Sequence, residues 1–169
     1  MVRTICFYFF FSFLFTSCYR DVNKNVLSTH ETRFDEVFTS IIAKTDTNVV
    51  EIVSKLGNEI LEDKLQNIGN AIGPNKSSLQ IILVKSLFGL RHSPHGKGKI
   101  YIVKNKKAIG YYNDLMYNIN AYLDNGRLMV QPEEYCPFTK IDFSKDIPSN
   151  IFLQEDSCGG GNAYPFCKE

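Results

Sequence analysis

One glycine-rich segment, residues 91–99 (RHSPHGKGK), holds most of the side chains suited to chemistry. His92 and His95 have the spacing of two metal ligands, but Pro94 between them prevents the helix that would set their geometry. The glycines and lysines of the segment lack the spacing of a phosphate-binding P-loop. We therefore predict no metal site and no cofactor here, and interpret the segment as a solvated loop between two strands.

Signatures of nucleophilic catalysis are missing from the sequence. None of the patterns G-x-S-x-G, S-x-x-K and H-E-x-x-H occurs. Cys136 would form a Cys–His pair with His92 or His95 only if the fold brought them together. We assign no catalytic residue, and an enzyme that uses these three residues stays an alternative hypothesis.

Charge is distributed unevenly along the chain. Residues 64–113 carry nine basic side chains and no acidic one, whereas the flanking segments are acidic and the whole chain has a net charge of +1. Such a block predicts either a basic patch for an acidic protein or a glycan, or strands neutralised by acidic neighbours. The low net charge argues against nucleic acid as a partner. The candidate contact residues are His92, His95, Lys97, Lys99, Lys106, Lys107, Tyr111 and Tyr112.

The amino terminus has the layout of an export signal. Arg3 precedes an apolar run at residues 5–15, and small residues then lead into Cys18. A membrane-spanning helix needs about 20 apolar residues, and this run is shorter. A charged start, a short apolar run and a small-residue cleavage site are typical of a secretory signal. We therefore predict that residues 1–17 are a signal peptide.

Residues 14–18, with the sequence LFTSC, resemble the lipobox of bacterial lipoprotein precursors. The resemblance implies that Cys18 is acylated and becomes the first residue of a membrane-anchored protein of the periplasm or cell surface. Phe15 stands where the family pattern has an aliphatic residue. The polar residues that follow, 18–27, would then be a tether. The alternative is a simple secretory signal cut after Cys18, which would release a soluble protein.

Two stretches before residue 74 have the apolar spacing of amphipathic helices. The first begins at a capping box, Ser28–Glu31, which places His30 in solvent. The second covers residues 46–72 and ends at Gly73 and Pro74. The apolar stripe of the first predicted helix consists of Phe34, Val37, Phe38, Ile41 and Ile42.

The period changes to that of β-strands from residue 79 onward. Strand-like runs occur at residues 79–84, 100–103 and 108–112, and the sequence NKK at 105–107 is a plausible turn. The strongest hairpin signal is the sequence DNG at residues 124–126.

The carboxyl-terminal segment is rich in proline and contains three cysteines. Cys158 and Cys167 enclose a glycine-rich loop, so we predict a disulfide between them that closes the tail. Cys136 is left as the free thiol in this pairing, although the sequence also permits it to pair with either of the others.

Together these patterns predict a single α+β domain over residues 28–169. Two N-terminal amphipathic helices would pack on one face of an antiparallel β-sheet, with a Pro-rich, disulfide-closed C-terminal tail. The hypothesis for function is an exported, lipid-anchored, non-catalytic protein that acts by binding. The alternatives are a small extracytoplasmic enzyme and a purely structural component of the cell envelope.

Overall fold

The computed structural model describes residues 26–43, 49–155 and 159–169. The predicted signal peptide, Cys18 and Cys158 lie outside the described residues. One helix, α1, occupies residues 26–43, and a short 3-10 turn lies at Pro74–Lys76. The strands are β1 (Val49–Leu56), β2 (Glu59–Ile72), β3 (Ser78–Leu90), β4 (Ser93–Lys104), β5 (Lys107–Met116), β6 (Asn120–Asp124), β7 (Arg127–Gln131), β8 (Thr139–Ile141), β9 (Asn150–Glu155) and β10 (Gly160–Lys168).

The strands form two antiparallel sheets. Seven strands make the large sheet in the order β1-β2-β3-β4-β5-β10-β9, and β6, β7 and β8 make a small sheet. The first five strands follow one another as neighbouring hairpins. The last strand, β10, then returns to the interior of the large sheet and pairs with β5. Residues 160–165 of β10 pair with β9 and residues 166–168 pair with β5, so backbone hydrogen bonds hold the whole strand.

Each face of the large sheet carries an apolar cluster. One face, here called the small-sheet face, packs Leu79, Ile81 and Ile100 against Leu128 and Val130 of the small sheet. The other, the helix face, is covered by α1 and has its own apolar cluster. That cluster contains Ile41, Ile52, Leu65, Ile82, Val84, Tyr101, Val103 and Ala108. The molecule thus has three layers, with the large sheet in the middle.

The first predicted helix is confirmed, although its start differs. Ile41 is buried, and the rest of the predicted stripe packs against the apolar cluster of the helix face. Helical structure already includes Val26, so Ser28 lies inside α1, where its carbonyl oxygen accepts a bond from Thr32 Oγ1 at 2.9 Å. Ser28 is therefore not a helix cap. No helix among the described residues has the length and hydropathy needed to cross a membrane.

The second predicted helix is wrong, because residues 49–72 form the β1–β2 hairpin. The α+β prediction is therefore replaced by a mainly β fold with one described helix. In β1 the exposed positions include the apolar Val49 and Val53, and in β2 the buried positions include the polar Asp63 and Asn67. The polar–apolar alternation of a half-buried strand is therefore lost in the sequence. Gly57, which would weaken a helix, lies in the hairpin turn with φ +58°.

The predicted disulfide-closed tail is also wrong. Cys167 is a free thiol in β10, opposite Tyr111 of β5. The segment that we expected to wrap the domain instead supplies β9 and β10. Pairing in the sheet immobilises the chain end that the disulfide was expected to hold.

Gly57→Ala is expected to lower the free energy of unfolding by about 1–2 kcal/mol, the usual cost of a left-handed conformation for a residue with a Cβ. The added methyl group would meet no atom within 4 Å, so the cost comes from the backbone alone. Urea denaturation measures the change. Alanine would instead stabilise a helix by about 1 kcal/mol, so a more stable variant would contradict the hairpin. Gly57→Asn is the control and should lose less, because Asn tolerates this conformation.

Candidate functional site

A ladder of aromatic rings joins α1 to the large sheet. The ring centroids of Phe34 and Phe38 are 5.8 Å apart, and those of Phe38 and Tyr101 are 4.7 Å apart. The ladder continues to Tyr111, whose ring centroid lies 5.2 Å from that of Tyr101. These tilted contacts are favourable for aromatic pairs and fix the position of the helix above β4 and β5.

Lys99 lies beside the sheet end of this ladder. Its Nζ is 4.5 Å from the ring centroid of Tyr111 and 5.5 Å from that of Tyr101, both within cation–π range. Burial, and next the negative charge of Glu169, raise the pKa of Tyr101 well above its usual value, so this ring stays neutral. No ion pair involves Lys99 in the part of the chain that the structure describes. The ammonium group is therefore held by rings and not by a carboxylate.

A cavity of about 240 Å³ opens between α1 and the large sheet. Its helix wall carries the carboxylates of Glu31 and Asp35, and its sheet wall carries Lys99, Tyr101 and the carboxylate of Asp63. We call this space the helix–sheet cavity. It offers groups of opposite charge together with an aromatic surface.

A buried polar network also borders this cavity. His30 is only 2% exposed, and its Nε2 lies 2.8 Å from Asp63 Oδ2. Its Nδ1 lies 2.8 Å from Ser54 Oγ, and Ser86 Oγ donates to the second oxygen of Asp63. The network therefore connects α1 to three neighbouring strands, β1, β2 and β3. Each buried polar group gains a partner, which offsets the cost of removing it from water.

The capping box predicted a solvated His30, and this prediction is wrong. The sequence did contain a signal for burial, because His30 precedes Phe34 by four residues and so shares its helical face. The burial of Asp63 can also be inferred from the sequence, once residues 59–72 are known to form β2. It lies two residues before the buried Leu65, and alternate residues of a strand share one face.

The predicted contact residues are brought together only in part. Lys99 and Tyr111 are in contact on the helix face. Tyr112 is fully buried on the small-sheet face, where its hydroxyl donates to the carbonyl oxygen of Pro148 at 2.7 Å and burial raises its pKa. Lys97 Nζ donates to Asp114 Oδ1 at 2.6 Å, so its charge is compensated.

The remaining predicted residues lie elsewhere. Lys106 is in the β4–β5 turn and Lys107 begins β5, at the end of that hairpin away from Lys97. His92 lies in the exposed β3–β4 turn, and the ring of the exposed His95 is 6.1 Å from that of Phe88. These residues form no joint cavity with Lys99.

Cys136 is buried in the loop between β7 and β8, where its backbone N–H donates to the carbonyl oxygen of Glu133. Its backbone carbonyl accepts a hydrogen bond from Gln131 Nε2 at 2.8 Å. Across residues 26–43, 49–155 and 159–169, no group of three His, Cys, Asp or Glu side chains is arranged to hold a metal ion.

Comparison of the chain with protein family models, with curated proteins and with solved structures gives no match. The helix–sheet cavity and the polar network beside it are the structural features that bear on function.

Asp63→Ala is expected to lower the free energy of unfolding by about 1–3 kcal/mol, because His30 Nε2 and the Ser86 hydroxyl lose their shared acceptor inside the protein. Urea denaturation monitored by circular dichroism measures the change. Glu51→Ala is the control, since it removes the exposed partner of Lys64 and should change stability little. Equal stability of Asp63→Ala and the wild type would contradict a structural role for the network.

Proposed function

We propose that this protein binds a small ligand with both an anionic and a cationic group, such as an amino acid or a short peptide, in the helix–sheet cavity. The observation that carries the proposal is that one cavity is lined by carboxylates on the helix and by an ammonium group that forms no ion pair within the described part of the chain. The sheet carboxylate, Asp63, is already bonded to His30 and Ser86. Lys99 borders the sheet side, while Glu31 and Asp35 border the helix side. A ligand carboxylate at Lys99 would gain a charge-assisted hydrogen bond, and a ligand ammonium group would gain the same from the acidic wall.

The surroundings of Lys99 support this role. The side chain is half-buried and lies against two rings, so little rotational freedom is lost when a ligand binds. An incoming anion also displaces no carboxylate from the ammonium group. The ammonium group of Lys97, on the same strand, already forms an ion pair with the carboxylate of Asp114.

The size of the cavity limits the ligand. Its volume of about 240 Å³ is below the range of roughly 300–1,000 Å³ that is common for drug-sized ligands. Phe34 and Val84 add apolar surface, which suits a ligand with a short apolar side chain. These features favour a compact zwitterion over a long polymer.

The site of action in this proposal is outside the cytoplasmic membrane, with the protein tethered by a lipid on Cys18. The support is the charged, apolar and small-residue layout of residues 1–18. In this arrangement the domain would meet its ligand in the periplasm or at the cell surface.

Lys99→Met is expected to weaken ligand binding by about 10- to 100-fold, the loss that follows from removing one charge-assisted hydrogen bond. A panel of free amino acids and dipeptides is screened by thermal shift, and each hit is measured by isothermal titration calorimetry. Lys97→Met is the matched control and should bind as the wild type does. The proposal fails if no panel member binds the wild type, or if both variants bind equally well.

Cys18→Ala is expected to abolish incorporation of a labelled fatty acid when the full-length gene is expressed in bacteria, because the acylated sulfur is removed. Labelling is followed by gel fluorescence with an alkyne-bearing palmitate. Cys6→Ala is the control, since Cys6 would leave with the signal peptide. Equal labelling of Cys18→Ala and the wild type would show that Cys18 carries no lipid.

A further inference from the structure

Ser54, His30 and Asp63 form a continuous chain of hydrogen bonds. His30 Nδ1 lies 2.8 Å from Ser54 Oγ, and His30 Nε2 lies 2.8 Å from Asp63 Oδ2. An ionised carboxylate can only accept hydrogen bonds, so Nε2 carries the proton. In the neutral imidazole Nδ1 is then the acceptor, and the Ser54 hydroxyl donates to it. This is the arrangement in which a histidine can take a proton from a serine.

The carboxylate end of the chain is held rigidly. Ser86 Oγ donates to Asp63 Oδ1 while His30 occupies Oδ2, so both oxygens are engaged. The side chains of His30 and Asp63 are only 3% and 11% exposed. A fixed, shielded carboxylate keeps the imidazole in one orientation and stabilises the imidazolium that forms when it accepts a proton.

The serine end, in contrast, is open. Ser54 is half-buried and borders two cavities near the start of α1. One, of about 220 Å³, has a mostly apolar lining that includes Leu27, Leu61 and Phe88. The other, of about 270 Å³, is bordered by Lys55. A reacting carbonyl at Ser54 would thus lie beside an apolar space that can hold its acyl chain.

We propose that Ser54 is the nucleophile of an ester hydrolase that acts on short apolar acyl esters. Ser54 Oγ attacks the ester carbonyl carbon and its proton passes to His30 Nδ1. The carbon–oxygen bond to the alcohol then breaks, and His30 returns the proton to the departing alkoxide. Asp63 acts as a positioning residue.

Water completes the cycle. It attacks the acyl carbon on Ser54 and gives a proton to His30. The bond between that carbon and Ser54 Oγ then breaks, His30 returns the proton to Ser54 Oγ, and the carboxylic acid leaves. The acyl chain occupies the apolar cavity throughout. This activity goes beyond ligand binding in the helix–sheet cavity, which Ser54 does not border.

The test measures chemistry that a structural network would not show. The purified full chain is treated with a fluorophosphonate probe, and the site of the adduct is located by peptide mass spectrometry. Hydrolysis of p-nitrophenyl butyrate is measured in parallel. The expected result is an adduct on Ser54 together with ester turnover.

Ser54→Ala is expected to lose the adduct and at least about 100-fold of the hydrolysis rate, because the nucleophile is gone. Ser93→Ala is the control, since it removes an exposed serine hydroxyl at the start of β4, outside the network; its rate should match that of the wild type. Binding of amino acids in the helix–sheet cavity is measured on the same preparations, so failure of the binding proposal would be seen separately.

Two results would overturn this assignment. One is a wild type that takes no adduct on Ser54 while circular dichroism shows it folded. The other is ester hydrolysis by Ser54→Ala at the wild-type rate, which would place the activity at another residue or in a contaminant.

Discussion

The docking of α1 on the helix face is the contact on which both candidate sites depend. His30 and Asp63 reach each other only because the helix lies over β1 to β3, and neither could stay buried without the other. Apolar packing supplies the driving force, through the Phe38–Tyr101 contact and the buried Ile41. Gln80 Nε2 also donates to the carbonyl oxygen of Ile41 near the end of the described helix. Without α1 there would be no helix–sheet cavity.

The two faces of the large sheet differ in chemistry because of strand register. On the helix face, Asp63, Ser86 and Lys97 are consecutive cross-strand partners, so three polar side chains form one row across β2, β3 and β4. The neighbouring row contains Leu65, Val84 and Lys99. The small-sheet face instead packs apolar side chains against a second sheet. Polar side chains that could take part in binding or catalysis are therefore concentrated under and beside the helix.

Folding divides the basic block of the sequence into separate environments. Lys64 pairs with Glu51 of the adjacent strand, and Lys97 pairs with Asp114 of β5. Lys99 instead packs on tyrosine rings at the edge of a cavity. Neutralisation of the block is partial, because Lys104 and Lys107 stand opposite each other in β4 and β5. Lys99 is distinguished from Lys64 and Lys97 by its neighbours and not by its charge.

The sequence by itself determined the features that depend on nearby residues. The apolar stripe of α1 follows from helical period, and the β6–β7 hairpin follows from Asn125 and Gly126, which adopt the positive φ angles that this turn requires. The tertiary structure alone decided the β1–β2 hairpin, because exposed apolar residues in β1 and buried polar residues in β2 remove the alternation that would mark these strands. It also decided the return of β10 to the sheet, which leaves Cys167 a free thiol. His30 and Asp63 are 33 residues apart, and their contact exists only because helix and sheet bury a common surface. Local patterns specify elements, whereas a site built from distant residues is specified by how those elements pack.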